Sequence, residues 1–122
     1  MKVYYAHCQA IYGTKQEKRD INLLQQLGFE VLNPGEPQHG KIANEMKARG
    51  ENAMTYFEGL VRGCDLLAFR ALPDGRIPAG VVKEIEVAKD GSKAIIELPS
   101  RIVGRSIGVE ETREYLAEIG QR

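Results

Sequence analysis

Residues 63–98 read GCDLLAFRALPDGRIPAGVVKEIEVAKDGSKAIIEL, and the succession of patterns in this stretch decides the fold. An apolar run at Leu66–Phe69 precedes a Pro-Asp-Gly turn, a helical pattern over Val81–Lys89 and a second apolar run at Ala94–Leu98. Short apolar runs of this kind are typical of strands that are covered on both faces of a parallel sheet. The stretch is therefore predicted to form a right-handed β-α-β crossover.

Glu84 falls one turn into the predicted helix, four residues after Gly80. Ligands of parallel sheets bind beyond the carboxyl ends of the strands, and this helix begins after such an end. The carboxylate of Glu84 can therefore point into a ligand crevice. An acidic residue near a helix start also stabilises the helix dipole without any catalytic role, and this alternative stays open.

The length of 122 residues predicts a single domain, 1–122, with one core. Seventeen basic and seventeen acidic residues give a formal net charge of zero, which argues against a nucleic-acid polymer as partner and favours a small ligand. Cys8 and Cys64 have no metal-like spacing and are predicted to be buried free thiols. The start, MKVYYAHCQ, lacks the apolar run of a signal peptide, and no stretch reaches the length of a membrane span. These patterns predict a soluble, cytoplasmic protein without a membrane partner.

The first part of the chain also alternates strand and helix. Lys2–Ala6 is β-branched and aromatic, which predicts a strand. Thr14 and Glu17 form a capping-box pattern that opens a helix to about Leu27, with apolar residues on one face (Ile21, Leu24, Leu27). Phe29–Leu32 alternates as a second strand.

The remaining segments complete the pattern. Glu36–Glu51 is polar without an apolar period and is predicted to be a mobile excursion with a short helix around Ile42–Ala48. Asn52–Val61 is predicted to be a helix, Ile102–Gly104 a possible fifth strand, and Val109–Ile119 an amphipathic last helix. The sum is an α/β, doubly wound, flavodoxin- or Rossmann-like three-layer sandwich with a four- or five-stranded, mostly parallel sheet.

The chain runs in order through YYAHCQAIYG, a helix, FEVLNP, a helix before CDLLAFR, and then GVVKEIEVA and KAIIEL. This order resembles that of the nucleoside 2-deoxyribosyltransferase superfamily. In length the chain is most similar to the deoxynucleoside 5′-monophosphate N-hydrolases. The resemblance covers roughly residues 1–98. It implies N-glycosidic cleavage of, or deoxyribosyl transfer from, a nucleoside or nucleotide, without a metal or cofactor. It also implies a homo-oligomer that assembles through the helix Asn52–Val61.

The resemblance also implies site residues. Gly80 and Glu84 fit a Gly-x-x-x-Glu pattern that places a nucleophilic glutamate against the anomeric carbon. A first-strand tyrosine and the loop His7–Gly13 stand where the family holds its nucleotide; the candidates in this region are Tyr4 or Tyr5, Gln9, Tyr12 and Gly13. Family members carry an aspartate where this chain has Phe57, and their first loop is richer in Gly and Ser.

The chemistry of such a site can be stated independently. Cleavage of an N-glycosidic bond passes through an oxocarbenium-like state that a carboxylate stabilises, and a donor to the departing base completes the pair. Glu84 is the candidate nucleophile. His7, at the end of the first strand, is the candidate donor because imidazole titrates near neutral pH. Tyr5 is the substrate-binding candidate of the first strand, although side chains of a strand alternate and at most one of Tyr4 and Tyr5 can face a ligand.

Two further residues have competing interpretations. Arg70 directly follows a strand and can clamp a phosphate or carboxylate there, or it can form an ion pair. Asp74 can reach the same crevice, or it can serve only the Pro-Asp-Gly turn. Two functions therefore remain: an N-glycosidase or deoxyribosyltransferase, which Glu84 after Gly80 favours, and a nucleotide-binding module without turnover, which Phe57 favours. A scaffold without ligand is a third possibility.

Overall fold

The computed structural model describes residues 1–99 and 107–121. Its four strands form one parallel sheet in the order β2-β1-β3-β4; helices connect successive strands, and one more helix follows the last strand. The elements are β1 (Lys2–Ala6), α1 (Lys15–Gln26), β2 (Glu30–Leu32), α2 (Pro37–Ala48), α3 (Met54–Arg62), β3 (Leu66–Phe69), α4 (Ala79–Asp90), β4 (Ala94–Glu97) and α5 (Val109–Glu118), with a 3₁₀ turn at Gln9–Ile11. The α/β doubly wound, Rossmann-like prediction is confirmed. The predicted fifth strand at Ile102–Gly104 lies outside the described residues.

The strand order sets the place for a ligand. The chain passes from β1 outward to β2 and then returns to the other side of β1 to form β3, so the winding reverses between β1 and β3. In open parallel sheets the crevice at the carboxyl ends of two such strands is the usual ligand site. Residues that directly follow β1 are therefore the first to examine.

Strand alternation divides the core into two faces. Tyr4 and Leu67 belong to the face that packs against α3 and α4, where Val61 and Ile85 are buried. Val3, Tyr5 and Leu66 belong to the opposite face, where Leu24 of α1 is buried. Each strand residue is thus assigned to one side of the sheet by its parity.

The cap of α1 forms only half of the predicted capping box. The hydroxyl of Thr14 accepts a hydrogen bond from the Glu17 backbone N–H at 3.3 Å, as predicted. The Glu17 carboxylate, however, accepts from the backbone N–H of Gly13 and contacts His7, and does not reach back to Thr14. Leu27 is the C-cap and is 60% exposed, so its predicted place on the buried face is wrong; only Leu24 of that set is fully buried.

The polar segment Glu36–Glu51 is mostly helical, which corrects the prediction that its helix is confined to residues around Ile42–Ala48. Pro37 occupies the first position of α2, where its fixed φ and missing N–H suit a helix start. Ala43 is the only helix residue here that is fully buried. The sequence pattern failed because a helix that buries so little has no apolar period to detect.

In the part of the chain that is described, no helix combines the length and the apolar character needed to cross a membrane.

Candidate functional site

A cavity of about 550 Å³ lies on the α3/α4 side of the sheet, next to the carboxyl end of β1. Its volume is in the range of small-molecule sites. Four segments contribute the lining: β1 and its following loop, the end of α2 and the link after it, the start of α3, and the start of α4. The lining residues are Tyr4, His7, Cys8, Gln9, Tyr12, Lys47, Glu51, Asn52, Ala53, Met54, Phe57, Pro78, Gly80, Val81 and Glu84.

Glu84 is the buried acidic group of this cavity. It lies in the second turn of α4, since the helix begins at Ala79, and it is 7% exposed. One carboxylate oxygen accepts a hydrogen bond from the hydroxyl of Tyr4. Burial raises the pKa of Glu84 to about 7, and the hydrogen bond from Tyr4 opposes that rise. At neutral pH the carboxyl group therefore exists in both its neutral and its charged form.

Tyr4, and not Tyr5, is the first-strand tyrosine at the cavity. Burial, and then the nearby Glu84 carboxylate, raise the pKa of Tyr4, so its phenol stays protonated and donates. Tyr5 has the opposite parity in β1 and points to the α1 side, where its hydroxyl donates to Asp20 at 2.5 Å. The prediction of Tyr5 as a substrate-binding residue is thereby corrected, because strand alternation turns it away from the cavity.

His7 is committed to hydrogen bonds within the protein. Its side chain has no exposed surface, Nδ1 lies 2.9 Å from the carbonyl oxygen of Tyr5, and Nε2 lies 2.8 Å from a carboxylate oxygen of Glu17. A carbonyl only accepts, so Nδ1 carries a hydrogen and donates it to Tyr5, while Nε2 is engaged by Glu17. The ring also stacks on Tyr5 at 3.8 Å. His7 therefore anchors the loop after β1. Both of its ring nitrogens already have partners within the protein, so neither is free for the predicted role of proton donor.

Glu17 connects the same loop to α1. Its carboxylate accepts from the backbone N–H of Gly13 at 3.2 Å as well as contacting His7. Gly13 has φ of +74°, a conformation that favours glycine, and it is not part of the cavity lining. Its predicted substrate contact is therefore replaced by a role in shaping the loop that carries Gln9 and Tyr12.

Gln9, Tyr12 and Gly80 lie where the sequence interpretation placed them, in the lining of the cavity. Tyr12 packs edge-on against the ring of His7 at 4.8 Å, which fixes its orientation. Burial, followed by the nearby Glu84 carboxylate, raises the pKa of Tyr12 to about 12. Its phenol is therefore neutral at any physiological pH.

Arg70 does not reach the cavity. Its Nε donates to Asp20 at 2.9 Å, a second guanidinium nitrogen donates to the other oxygen of that carboxylate, and Nη1 donates to the carbonyl oxygen of Pro99 at 2.7 Å. Arg70 and Asp20 are 7% and 2% exposed. The predicted phosphate clamp is thus a buried ion pair on the α1 side of the sheet.

Asp74 also lies outside the cavity lining. Its carboxylate accepts from the backbone N–H of Arg76 at 3.0 Å and from the side chain of Arg76 at 2.6 Å. These hydrogen bonds, that from the Arg76 backbone first, hold the pKa of Asp74 below its usual range. Asp74 serves the turn, as the turn chemistry of Pro-Asp-Gly indicated.

Several lining residues were not predicted. Cys8 was expected to be buried with Cys64, yet it is only partly buried and lines the cavity; both thiols are free. The side chain of Asn52 accepts from the Met54 backbone N–H at 3.0 Å, which forms a turn directly before α3, whose N-cap is Ala53. An asparagine before a helix is a recognisable turn signal, and it marks the point where the link between α2 and α3 reaches the cavity.

Comparisons of the chain with models of known families, with curated proteins and with solved structures found no match.

Proposed function

We propose that the protein cleaves the N-glycosidic bond of a nucleoside or nucleoside 5′-monophosphate, by hydrolysis or by deoxyribosyl transfer, with Glu84 as the carboxylate nucleophile. The observation that carries the proposal is the burial of the Glu84 carboxyl at a cavity of about 550 Å³, held by Tyr4. A buried carboxyl costs folding free energy whenever it is charged, so a cavity that retains one is a candidate reaction site. The resemblance to nucleoside 2-deoxyribosyltransferases points to the same residue.

In this mechanism one carboxylate oxygen of Glu84 attacks the anomeric carbon of the sugar as the bond to the base breaks. The hydrogen bond that Tyr4 donates orients the Glu84 carboxylate and favours its charged, nucleophilic form. Gln9 and Asn52 offer amide groups to the hydroxyls of a sugar or the edge of a base, and Phe57 and Met54 offer apolar surface to the base.

A binding module without turnover is the second candidate function. The observation that favours it is Phe57, which gives the cavity an apolar side chain at the position where the family that the chain resembles carries an aspartate. Both functions use the same cavity, and they differ only in whether substrate is consumed.

One experiment decides between them. The purified protein is incubated with nucleosides and 5′-monophosphates, with and without a second free base as acceptor, and the free base is measured by chromatography; binding is measured in parallel by calorimetry. We expect release of free base, or exchange of bases in a transferase. Binding without any release would favour the binding module, and neither binding nor release would exclude both functions.

Gly80 provides a variant that tests the cavity without disturbing the core. A Cβ at Gly80 would meet no neighbouring heavy atom within 4 Å, although the residue lines the cavity. Gly80→Leu should therefore preserve folding but place a side chain in the space beside Glu84, four residues on and one turn along the same face. We expect kcat/KM to fall on the order of 100-fold, since displacing a substrate by ~1 Å has that effect.

Gly40 of α2 is the matched control. It too is a helical glycine with open space around its Cβ position, and it does not line the cavity. Gly40→Leu should leave kcat/KM unchanged and the melting temperature equal or higher. Equal loss of activity in both variants would show that the effect is not one of cavity occupancy.

We also propose a homo-oligomer that assembles in the cytoplasm through α3. Only Val61 of this helix is fully buried within the chain, and Met54, Tyr56, Phe57 and Leu60 keep part of their surface exposed. Light scattering should report at least a dimer at micromolar concentration, and Tyr56→Glu should weaken it because a charge is costly in an apolar interface. A monomeric wild-type protein would contradict the proposal.

A further inference from the structure

The departing base of an N-glycoside normally needs a proton, and the cavity is poorly equipped to supply one. Both nitrogens of His7 are engaged by Tyr5 and Glu17. Tyr12 has a pKa of about 12, too high for efficient proton donation near neutral pH. Glu84 cannot act as a nucleophile while it carries a proton.

The two other charged groups of the lining lie at its exposed rim. The side chain of Arg49 donates to Glu51, which holds the pKa of the Glu51 carboxyl below its usual range and keeps it charged. Lys47 is exposed. Glu51 is thus paired with Arg49, and His7 with Glu17. Glu84 and Lys47 are the charged groups of the lining that remain for a ligand, and of these only the Glu84 carboxyl is buried, whereas Lys47 is exposed. A cationic ring inside the cavity therefore meets the carboxylate rather than the ammonium.

Aromatic side chains add to this preference. Tyr12 and Phe57 are both partly exposed and both line the cavity. A cation placed against such rings is attracted by their negative faces, and planar heterocycles stack on them. The same cavity that lacks a convenient acid is therefore suited to a flat, positively charged ring.

We propose that the preferred substrates are N-glycosides of cationic heterocycles, such as pyridinium or N7-alkylated purine nucleosides, whose leaving group departs without a proton. This inference rests on the proposed function and specifies its substrate class. A Glu84 carboxylate oxygen forms a bond to C1′ as the bond from C1′ to the ring nitrogen breaks. The electron pair of that bond passes to the ring nitrogen, and the heterocycle leaves uncharged.

The second step is hydrolysis of the glycosyl ester. Water attacks C1′, the bond to Glu84 breaks with its electron pair returning to the carboxylate, and the proton released from water passes to solvent. No oxidant, metal or general acid is needed in either step. The positive charge that the substrate brings is neutralised within the cavity as the base departs.

The test compares guanosine with 7-methylguanosine at mildly acidic pH, where the methylated ring keeps its N1 proton and the two differ by one methyl group and one positive charge, and repeats the comparison with the 2′-deoxy pair. The ratio of kcat/KM, cationic over neutral, is divided by the ratio of the uncatalysed hydrolysis rates at the same pH. A general acid would accelerate cleavage of the neutral substrate selectively, by about 10²-fold to 10⁴-fold, and would lower the quotient by the same factor. Because we infer that the cavity has no such acid, we expect a quotient of about one or more. A quotient below about 0.1, with both substrates cleaved, would overturn the inference and leave the proposed function standing.

Phe57 supplies the complementary variants. Phe57→Asp places a carboxyl group in the cavity, whereas Phe57→Asn adds a similar polar side chain that cannot act as an acid. Relative to Phe57→Asn, Phe57→Asp should raise kcat/KM for guanosine at least about 10-fold more than it raises kcat/KM for 7-methylguanosine, because only the neutral leaving group needs the added acid. Thermal melts establish that both variants fold. The quotient measured with the wild-type protein tests the inference even if they do not.

The remaining outcomes are equally decisive. Cleavage of guanosine that is abolished by Lys47→Ala would identify Lys47 as an acid and overturn the inference. Cleavage of neither nucleoside, nor of a pyridinium nucleoside or the 5′-monophosphates, would overturn the proposed function and this inference with it.

Discussion

Glu84→Gln should lower the rate of N-glycosidic cleavage on the order of 10³-fold or more. Glutamine has the shape of glutamate and can still accept the hydrogen bond from Tyr4, but it has neither the charge nor the nucleophilic oxygen that the mechanism requires. Single-turnover kinetics with the best substrate of the nucleoside panel measures the effect. Activity like that of the wild type in this variant would exclude Glu84 as the nucleophile.

Glu86→Gln is the matched control, because Glu86 lies on the same helix with an exposed side chain. It changes the net charge of α4 by the same amount and should leave the rate unchanged.

The wild-type rate should itself depend on pH. Since the pKa of Glu84 is raised to about 7, kcat/KM should rise as the pH increases through that value and the carboxylate becomes charged.

Glu84→Gln should be more stable than the wild type at alkaline pH. The pKa of Glu84 rises from 4.5 to about 7 on burial, so between these values the folded state holds a proton that the unfolded state has lost. The free energy of unfolding of the wild type therefore falls as the pH rises through this window, by about 3 kcal/mol from this group alone. Glutamine does not ionise and avoids that loss.

Urea denaturation at pH 5 and pH 8 measures the difference. The stability gained by Glu84→Gln should be larger at pH 8 than at pH 5. A gain that is the same at both values would mean that Glu84 is not buried in solution as it is in the structure. A stabilising change that removes activity is expected where a buried charge is kept for function.

Asp20→Ala should destabilise the protein by about 3 to 5 kcal/mol. The substitution leaves the guanidinium of Arg70 buried without its carboxylate partner, and the hydroxyl of Tyr5 without its acceptor. Both lie in the core on the α1 side, away from water. Equilibrium urea denaturation gives the free energy of unfolding, and far-UV circular dichroism establishes that the variant folds before denaturant is added.

Asp74→Ala is the control for the general effect of removing an aspartate paired with arginine. Asp74 and Arg76 are exposed, and exposed ion pairs contribute little because water screens them. Because only an exposed ion pair and one turn hydrogen bond are lost, this variant should lower the melting temperature far less than Asp20→Ala does. If Asp20→Ala and Asp74→Ala have the same stability, the buried pair makes no special contribution.

Local patterns in the sequence were sufficient for most of the elements. The crossover from β3 through α4 to β4 was predicted within two residues at every boundary, since apolar runs and turn residues act on their immediate neighbours. The cap of α1 by Thr14 was predicted for the same reason. The first five residues of α2, 37–41, were missed because the helix buries almost nothing and so leaves no periodic signal.

The sequence by itself also placed Glu84, Gly80, Gln9 and Tyr12 at one edge of the sheet, because in a parallel α/β fold the residues after each strand meet there. Only the tertiary structure decided which groups face the cavity and which are already paired. Tyr4 rather than Tyr5 meets Glu84, and Arg70 meets Asp20 across 50 residues of chain. The physical reason is that a polar group's partner depends on distances between elements far apart in sequence, which no local pattern encodes.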